Sequence, residues 1–170
     1  MKIKLIKKYK GKTATFKEVE VKIRGKKFKG NILEFPKTVA ILPLIRKNEI
    51  ILVRQYRFPP QRSLWEIPAG KLGKKENPEK GAKRELREET GFSAQKLEKI
   101  AEFYLSPGYS TEYMYLFLAK NLQKGRQNLS EDEEILEVRT FKLKEAFEMI
   151  KSGKIKDLKT MFALFYLFFT

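Results

Sequence analysis

The segment Gly70–Phe92, GKLGKKENPEKGAKRELREETGF, constrains this chain more than any other, because it sets five glutamates around a helix signal. Asn77 suits an N-cap, Pro78 the first turn and Gly91 a C-terminal cap, so the punctuation predicts a helix between Asn77 and Gly91. Ala82 and Leu86 form its narrow apolar stripe. Glu85, Glu88 and Glu89, spaced i, i+3, i+4, crowd onto another face. Like charges so placed repel by roughly 0.2–0.5 kcal/mol per pair, so the helix gains nothing from them on its own. Arg84 and Arg87 relieve part of the repulsion, and a hard divalent cation would relieve it better.

The rest of the composition limits the chemistry. There is no cysteine and no histidine, which removes thiolate nucleophiles, zinc–thiolate sites and the usual general base. Acid–base work falls to carboxylates, Lys, Tyr or water held by a metal. The net charge of +16 suits an anionic small-molecule substrate or a nucleic-acid surface. The basic residues run from Lys2 to Lys159 rather than in one block, so they read as a solvated surface that also steers phosphorylated substrates. Nucleic acid is not the expected partner.

At 170 residues the chain suits one domain with a small appended element. Residues 2–9 and 13–23 alternate as strands do, and Gly25 offers a turn before KKFKGNILEF. Residues 1–36 are the appended element, β-rich and basic, and residues 37–170 are the main domain. TVAILPLIR and IILVRQYRF flank Lys47-Asn48-Glu49 as a hairpin, and Pro59-Pro60 ends the second strand. Strands follow at IAEFYL and EYMYLFLAK, joined by SPGYST, then LEVRTFKL and a helix LKEAFEMIKSG with a Gly stop. A last helix begins near Asp157. Its MFALFYLFF run is nine residues long, against about 20 for a membrane span. No membrane association is expected, and the cytoplasm is the default location. Strands wrapped around such helices indicate an α+β fold.

Gly70, Glu76 and the run Arg84-Glu85-Leu86-Arg87-Glu88-Glu89-Thr90-Gly91-Phe92 resemble the Nudix box at every fixed position, with Leu86 and Phe92 at its apolar ones. The resemblance implies an α/β/α sandwich on a mixed sheet, and a Mg2+-dependent attack of water on a diphosphate linked to another group, with Mn2+ able to substitute. Glu85 and Glu89 are the expected direct metal ligands, with Glu88 a third and the Ala69 carbonyl a fourth. Arg84 is expected to orient Glu88, and Glu76 to serve the loop or the outer shell.

Flanking residues narrow the family. Arg54-Gln55-Tyr56-Arg57, Trp65-Glu66-Ile67-Pro68-Ala69-Gly70 and Ser106-Pro107-Gly108 resemble the ADP-ribose pyrophosphatase branch. In that branch the N-terminal element is exchanged across a homodimer. The resemblance implies cleavage of ADP-ribose to AMP and ribose 5-phosphate. Glu112 is the expected general base, and Glu133 or Glu134 the reserve. Glu112 otherwise merely opens the next strand. Arg54 and Arg57 are expected to hold phosphate or ribose, and Glu66 adenine or ribose, unless Arg57 and Glu66 pair with each other. Lys29-Gly30-Asn31 and Phe35 depart from the branch near its adenosine end. Two alternatives remain: another nucleoside diphosphate derivative (a sugar nucleotide, dinucleotide polyphosphate or oxidised nucleotide), or a non-catalytic basic module binding nucleotide or RNA.

Overall fold

The structure is a computed structural model that describes residues 2–128 and 135–170. Strands β1 (Lys2–Lys10), β2 (Thr15–Ile23) and β3 (Lys26–Glu34) form a three-stranded antiparallel sheet. Arg24 and Gly25, both at positive φ, make the turn between β2 and β3. Its register sets Ile3, Val21 and Phe28 side by side, with Leu5 beside Val19, so one face is apolar. The other face carries Lys4, Glu20 and Lys29. The end of β3 ties this sheet to the rest: the Leu33 N–H donates to the Tyr109 carbonyl at 2.7 Å, and the Thr111 N–H to the Leu33 carbonyl at 3.0 Å.

The second sheet has seven strands: β4 (Thr38–Arg46), β5 (Glu49–Arg57), β6 (Arg62–Glu66), β7 (Ala69–Lys71), β8 (Phe92–Tyr104), β9 (Tyr113–Lys124) and β10 (Ile135–Lys142). The order is β10-β5-β4-β9-β8, with β6 on β5 and β7 on β4. Among the described residues only β4–β9 is a parallel pair in this sheet, so the sheet is mixed. Helix α1 (Pro78–Thr90) covers one face; α2 (Leu143–Lys151) and α3 (Leu158–Phe169) cover the other.

The apolar run of β4 follows from this sandwich, because a strand covered on both faces needs no polar alternation. Val39 and Ile41 pack with Ala82 and Leu86 of α1. Ala40 and Leu42 pack with Ala146 and Met149 of α2 and Ala163 and Leu164 of α3. No helix among the described residues is long and apolar enough to cross a membrane.

Two departures from simple pairing matter for the site. Strand β4 pairs with β5 only near its end, at Leu44–Ile50 and Arg46–Glu49. Nearer its start, β7 takes that place, with Val39 opposite Gly70 and Ala40 opposite Ala69. β5 meanwhile runs with β6 and β10, so the sheet splits and Ile67-Pro68 bridges the two arms. The second departure is in β8, which begins at Phe92 rather than near residue 100. A register shift between Lys99 and Ala101 interrupts its alternation, which hid the first half from a period of two.

Helix α1 ends as its punctuation requires. Asn77 Oδ1 accepts the N–H groups of Glu79 (2.9 Å) and Lys80 (3.2 Å), and Gly91 turns at φ 75. Leu86 is fully buried against β4. Replacing it with alanine is expected to lower unfolding free energy by about 2–5 kcal/mol, read by urea denaturation.

Candidate active site

Each carboxylate of α1 is placed by a specific backbone feature. Glu85 and Glu89 are 3% and 2% exposed, and Glu88 is half-buried. The carboxylate of Glu85 lies directly on Gly70, where any Cβ would occupy the same space. A side chain at Gly70 would have to push the Glu85 carboxylate out of its place. Both carboxylate oxygens of Glu89 lie within reach of the Ala69 N–H, at 3.4 and 3.3 Å.

Arg84 gathers the acidic residues of this region. Its Nε and Nη2 donate to the two oxygens of Glu76, both at 3.0 Å, and Nη1 donates to Glu85 and Glu88, both at 2.8 Å. Hydrogen bonding to Glu76 leads the causes that raise the pKa of Arg84 despite its partial burial. In return, Arg84 and then the Gly73 N–H hold Glu76 below the ordinary carboxylate range. The mutual repulsion of the box is met by one fixed guanidinium.

The donor chemistry fits magnesium. Glu85, Glu88, Glu89 and the Ala69 carbonyl would supply oxygen only, and magnesium takes one or two carboxylates with waters and substrate phosphates completing its shell. Among the described residues no three acidic side chains already form a cation cage. Arg84 draws Glu85 and Glu88 to itself instead.

A second charged group stands on the other arm of the split sheet. Arg57 at the end of β5 makes a bidentate pair with Glu66 of β6, Nε to Oε1 at 2.8 Å and Nη2 to Oε2 at 2.7 Å. The Glu66 oxygen Oε2 also accepts from Lys159 Nζ, and Lys159 donates to Asp157 at 2.9 Å. Asp157 caps α3 by accepting from the Thr160 N–H and hydroxyl, and the Thr160 hydroxyl oxygen accepts the Ile67 N–H at 2.8 Å. Glu66 and Lys159 are 1% and 7% exposed.

Burial alone would raise the pKa of Glu66, but Arg57 and Lys159 outweigh it and hold the carboxyl low. Burial likewise pulls against the charge of Lys159, yet Asp157 and Glu66 keep its pKa raised. Arg57 feels the charge of Glu89 as well as Glu66, so the two groups of charges adjoin. Half-buried Glu112, just before β9, completes the set. Its pKa is raised by burial, against the opposing influence of Lys159, the Thr38 hydroxyl and Arg57.

The expected residues thus fall into place unevenly. Ala69, Glu85, Glu88, Glu89 and Arg84 lie together, and Arg57, Glu66 and Glu112 adjoin them. Arg57 and Glu66 do pair with each other. Arg54 is on the opposite face of β5, exposed, with its nearest carboxylate partner Glu137 at 3.7 Å. Glu133 and Glu134 lie outside the described residues.

Sequence reading placed the start of the last helix at Asp157 but gave neither it nor Lys159 a part in the site. The available signal was a lone lysine beside a helix cap at the head of an apolar helix. It also missed the segment after β9, where Gly125 donates to the Gly91 carbonyl at 2.7 Å, Asn128 to Glu88 at 3.2 Å, and the Gln127 side chain to Glu89.

Comparison with known proteins identifies the family. A family model described as NUDIX domain matches residues 34–164. An ADP-ribose pyrophosphatase of Bacillus subtilis (strain 168) is 44% identical over 145 residues, spanning 84% of this chain and 78% of that protein. A methanol dehydrogenase activator of Bacillus methanolicus is 40% identical over the same shares of both chains. A GDP-mannose pyrophosphatase of Enterobacter sp. (strain 638) is 38% identical across 71% of this chain and 67% of that one. A crystal structure of an ADP compounds hydrolase superposes with a TM-score of 0.83, covering 98% of this chain and 90% of the other. At 20% identity it speaks for the fold alone.

The depressed pKa of Glu66 has a pH consequence. Its ion pairs contribute stability that is fully present above the ordinary glutamate value of 4.5 and lost as pH falls through the lower folded value. Melting temperature should therefore drop on acidification below that point. Glu66→Gln should flatten the drop, as differential scanning fluorimetry across the acid range would show.

Proposed function

The chain belongs to the NUDIX domain family, and we propose that it is a Mg2+-dependent hydrolase that cleaves the diphosphate of ADP-ribose to AMP and ribose 5-phosphate. One observation carries the reading of the site: the oxygen-donor wall of α1 adjoins a cationic clamp, because Glu66, which holds Arg57, and Ala69, whose N–H meets Glu89, lie on one short segment. The wall suits a metal and the clamp suits phosphate oxygens. The 44% identity to the Bacillus subtilis ADP-ribose pyrophosphatase supports the choice of substrate.

Glu85, Glu88, Glu89 and the Ala69 carbonyl would hold the metal, which supplies charge neutralisation for the diphosphate and polarises water toward attack. Arg84 keeps Glu85 and Glu88 in position. Arg57 commits Nε and Nη2 to Glu66, so its Nη1 end is the one offered to a phosphate oxygen. Glu66 thereby serves first as the anchor of Arg57. Glu112 is the general base, accepting the proton of the attacking water, and its burial brings its basicity closer to neutral pH. Arg54, turned to the other face, is assigned to the edge of the substrate groove.

A second substrate reading has its own support. Lys29-Gly30-Asn31 and Phe35 depart from the branch pattern, and GDP-mannose pyrophosphatases are among the relatives. Incubation with ADP-ribose, GDP-mannose, a dinucleotide polyphosphate and an oxidised nucleotide, with product identification, separates these readings. ADP-ribose should turn over fastest and give AMP; faster release of GMP from GDP-mannose would reassign the substrate. Glu85→Gln and Glu89→Gln should each lower kcat/KM by about 100-fold or more without unfolding the chain. Glu112→Gln should lower kcat with little effect on metal affinity. Unchanged turnover would move the base to Glu133 or Glu134.

The N-terminal element, residues 1–36, is assigned to homodimerisation, with residues 37–170 as the hydrolase domain. Ile3, Leu5 and Phe28 are each about half exposed on one face of its sheet, an apolar area that a second copy would cover. Sedimentation velocity should give a dimer, and Leu5→Lys/Phe28→Lys should give a monomer. The assigned location is the cytoplasm.

A further inference from the structure

We propose that Lys159 is a positioning residue of the diphosphate site: its ammonium, held between Asp157 and Glu66, fixes the Glu66 carboxylate and through it aims the Arg57 guanidinium at the substrate. The inference rests on the diphosphate-hydrolase reading above and adds a residue from the C-terminal helix.

Lys159 is the one basic residue on α3, whose remaining positions after Thr160 are apolar. A charge buried at the head of such a helix is expensive to desolvate, and taking it alone out of its ion pairs leaves the buried Glu66 and the half-buried Asp157 with less compensation. Attachment of the helix does not require it. The Thr160 hydroxyl already accepts from Ile67, Asp157 already caps the first turn, and Ala163 and Leu164 pack into the core. What Lys159 alone adds is a second cation on Glu66 Oε2, the oxygen that also receives Arg57 Nη2.

That placement has a definite effect. The Arg57–Glu66 fork is already closed, and Lys159 adds a second cation to one of its two acceptor oxygens. With Lys159 present, two cations face two anions, Glu66 and Asp157, and the fork of Arg57 keeps one fixed orientation while its positive charge is less completely cancelled. Glu112 faces the same cations, Lys159 from α3 and Arg57 from β5, together with the Thr38 hydroxyl from β4. Its negative charge is favoured while they remain.

The test uses the full chain with Lys159→Met, Lys159→Arg, Glu66→Gln and the Glu66→Gln/Lys159→Met double variant. Lys159→Met should lower the melting temperature, because Glu66 and Asp157 lose a buried partner, while raising KM for ADP-ribose by about tenfold or more and changing kcat less. Affinity for inorganic pyrophosphate with Mg2+, read by calorimetry, should fall by a similar factor. Lys159→Arg should recover most of both. Because Lys159 acts through Glu66, adding Lys159→Met to Glu66→Gln should change KM little.

A parental KM and pyrophosphate affinity in Lys159→Met overturns the proposal, as does a multiplicative effect in the double variant. Should methionine prevent folding, Lys159→Gln, which removes the positive charge beside Glu66, is read in its place by the same criteria. If the parent chain does not cleave ADP-ribose, the substrate assignment fails, and the pyrophosphate measurement still decides the role of Lys159.

Discussion

Glu85 lies so close to Gly70 that a side chain there would have to displace its carboxylate, and that approach sets α1 close against the short strand β7. Most of the site follows from it. With α1 in place, Glu89 meets the Ala69 N–H, and Leu86 and Ala82 fill the space over Val39 and Ile41 of β4. β7 can sit beside β4 only because β5 has left it, so the split sheet and the glycine contact depend on each other. Cleft and helix are set by one backbone arrangement.

The charged groups are compensated in two different ways. Near α1, three glutamates share the single guanidinium of Arg84, which keeps them close without neutralising them all. On the opposite arm, Arg57, Glu66, Lys159 and Asp157 alternate in sign and are balanced among themselves. The first arrangement leaves excess negative charge, suited to a cation. The second leaves directed cationic edges, suited to an anion. Under the proposed function, a metal–diphosphate complex would present both charges, one to each wall.

Legibility of the sequence followed the range of the interactions. The cap at Asn77, the turn at Gly91 and the cluster of glutamates are local, and residue spacing alone exposes them. The hairpin at Lys47-Asn48-Glu49 and the end of β5 before Pro59 are local too. The early start of β8 was hidden because a bulge breaks its alternation. Glu66–Lys159 joins residues 93 apart, and nothing in the composition of α3 announces which strand it meets. Arg54 and Arg57, adjacent in one motif, part company because three residues along a strand means opposite faces.

The C-terminal end of α1 would bear on a bound cation as well. A helix is negatively polarised at its C-terminal end, where anionic side chains are ordinarily disfavoured. Glu88 and Glu89 occupy that end, and the donors from Gly125, Gln127 and Asn128 discharge only the backbone around them. Local stability is thus given up to build a negative electrostatic potential whose source is partly the peptide dipoles themselves. Part of the attraction for a cation would persist even where one of the carboxylates is neutralised.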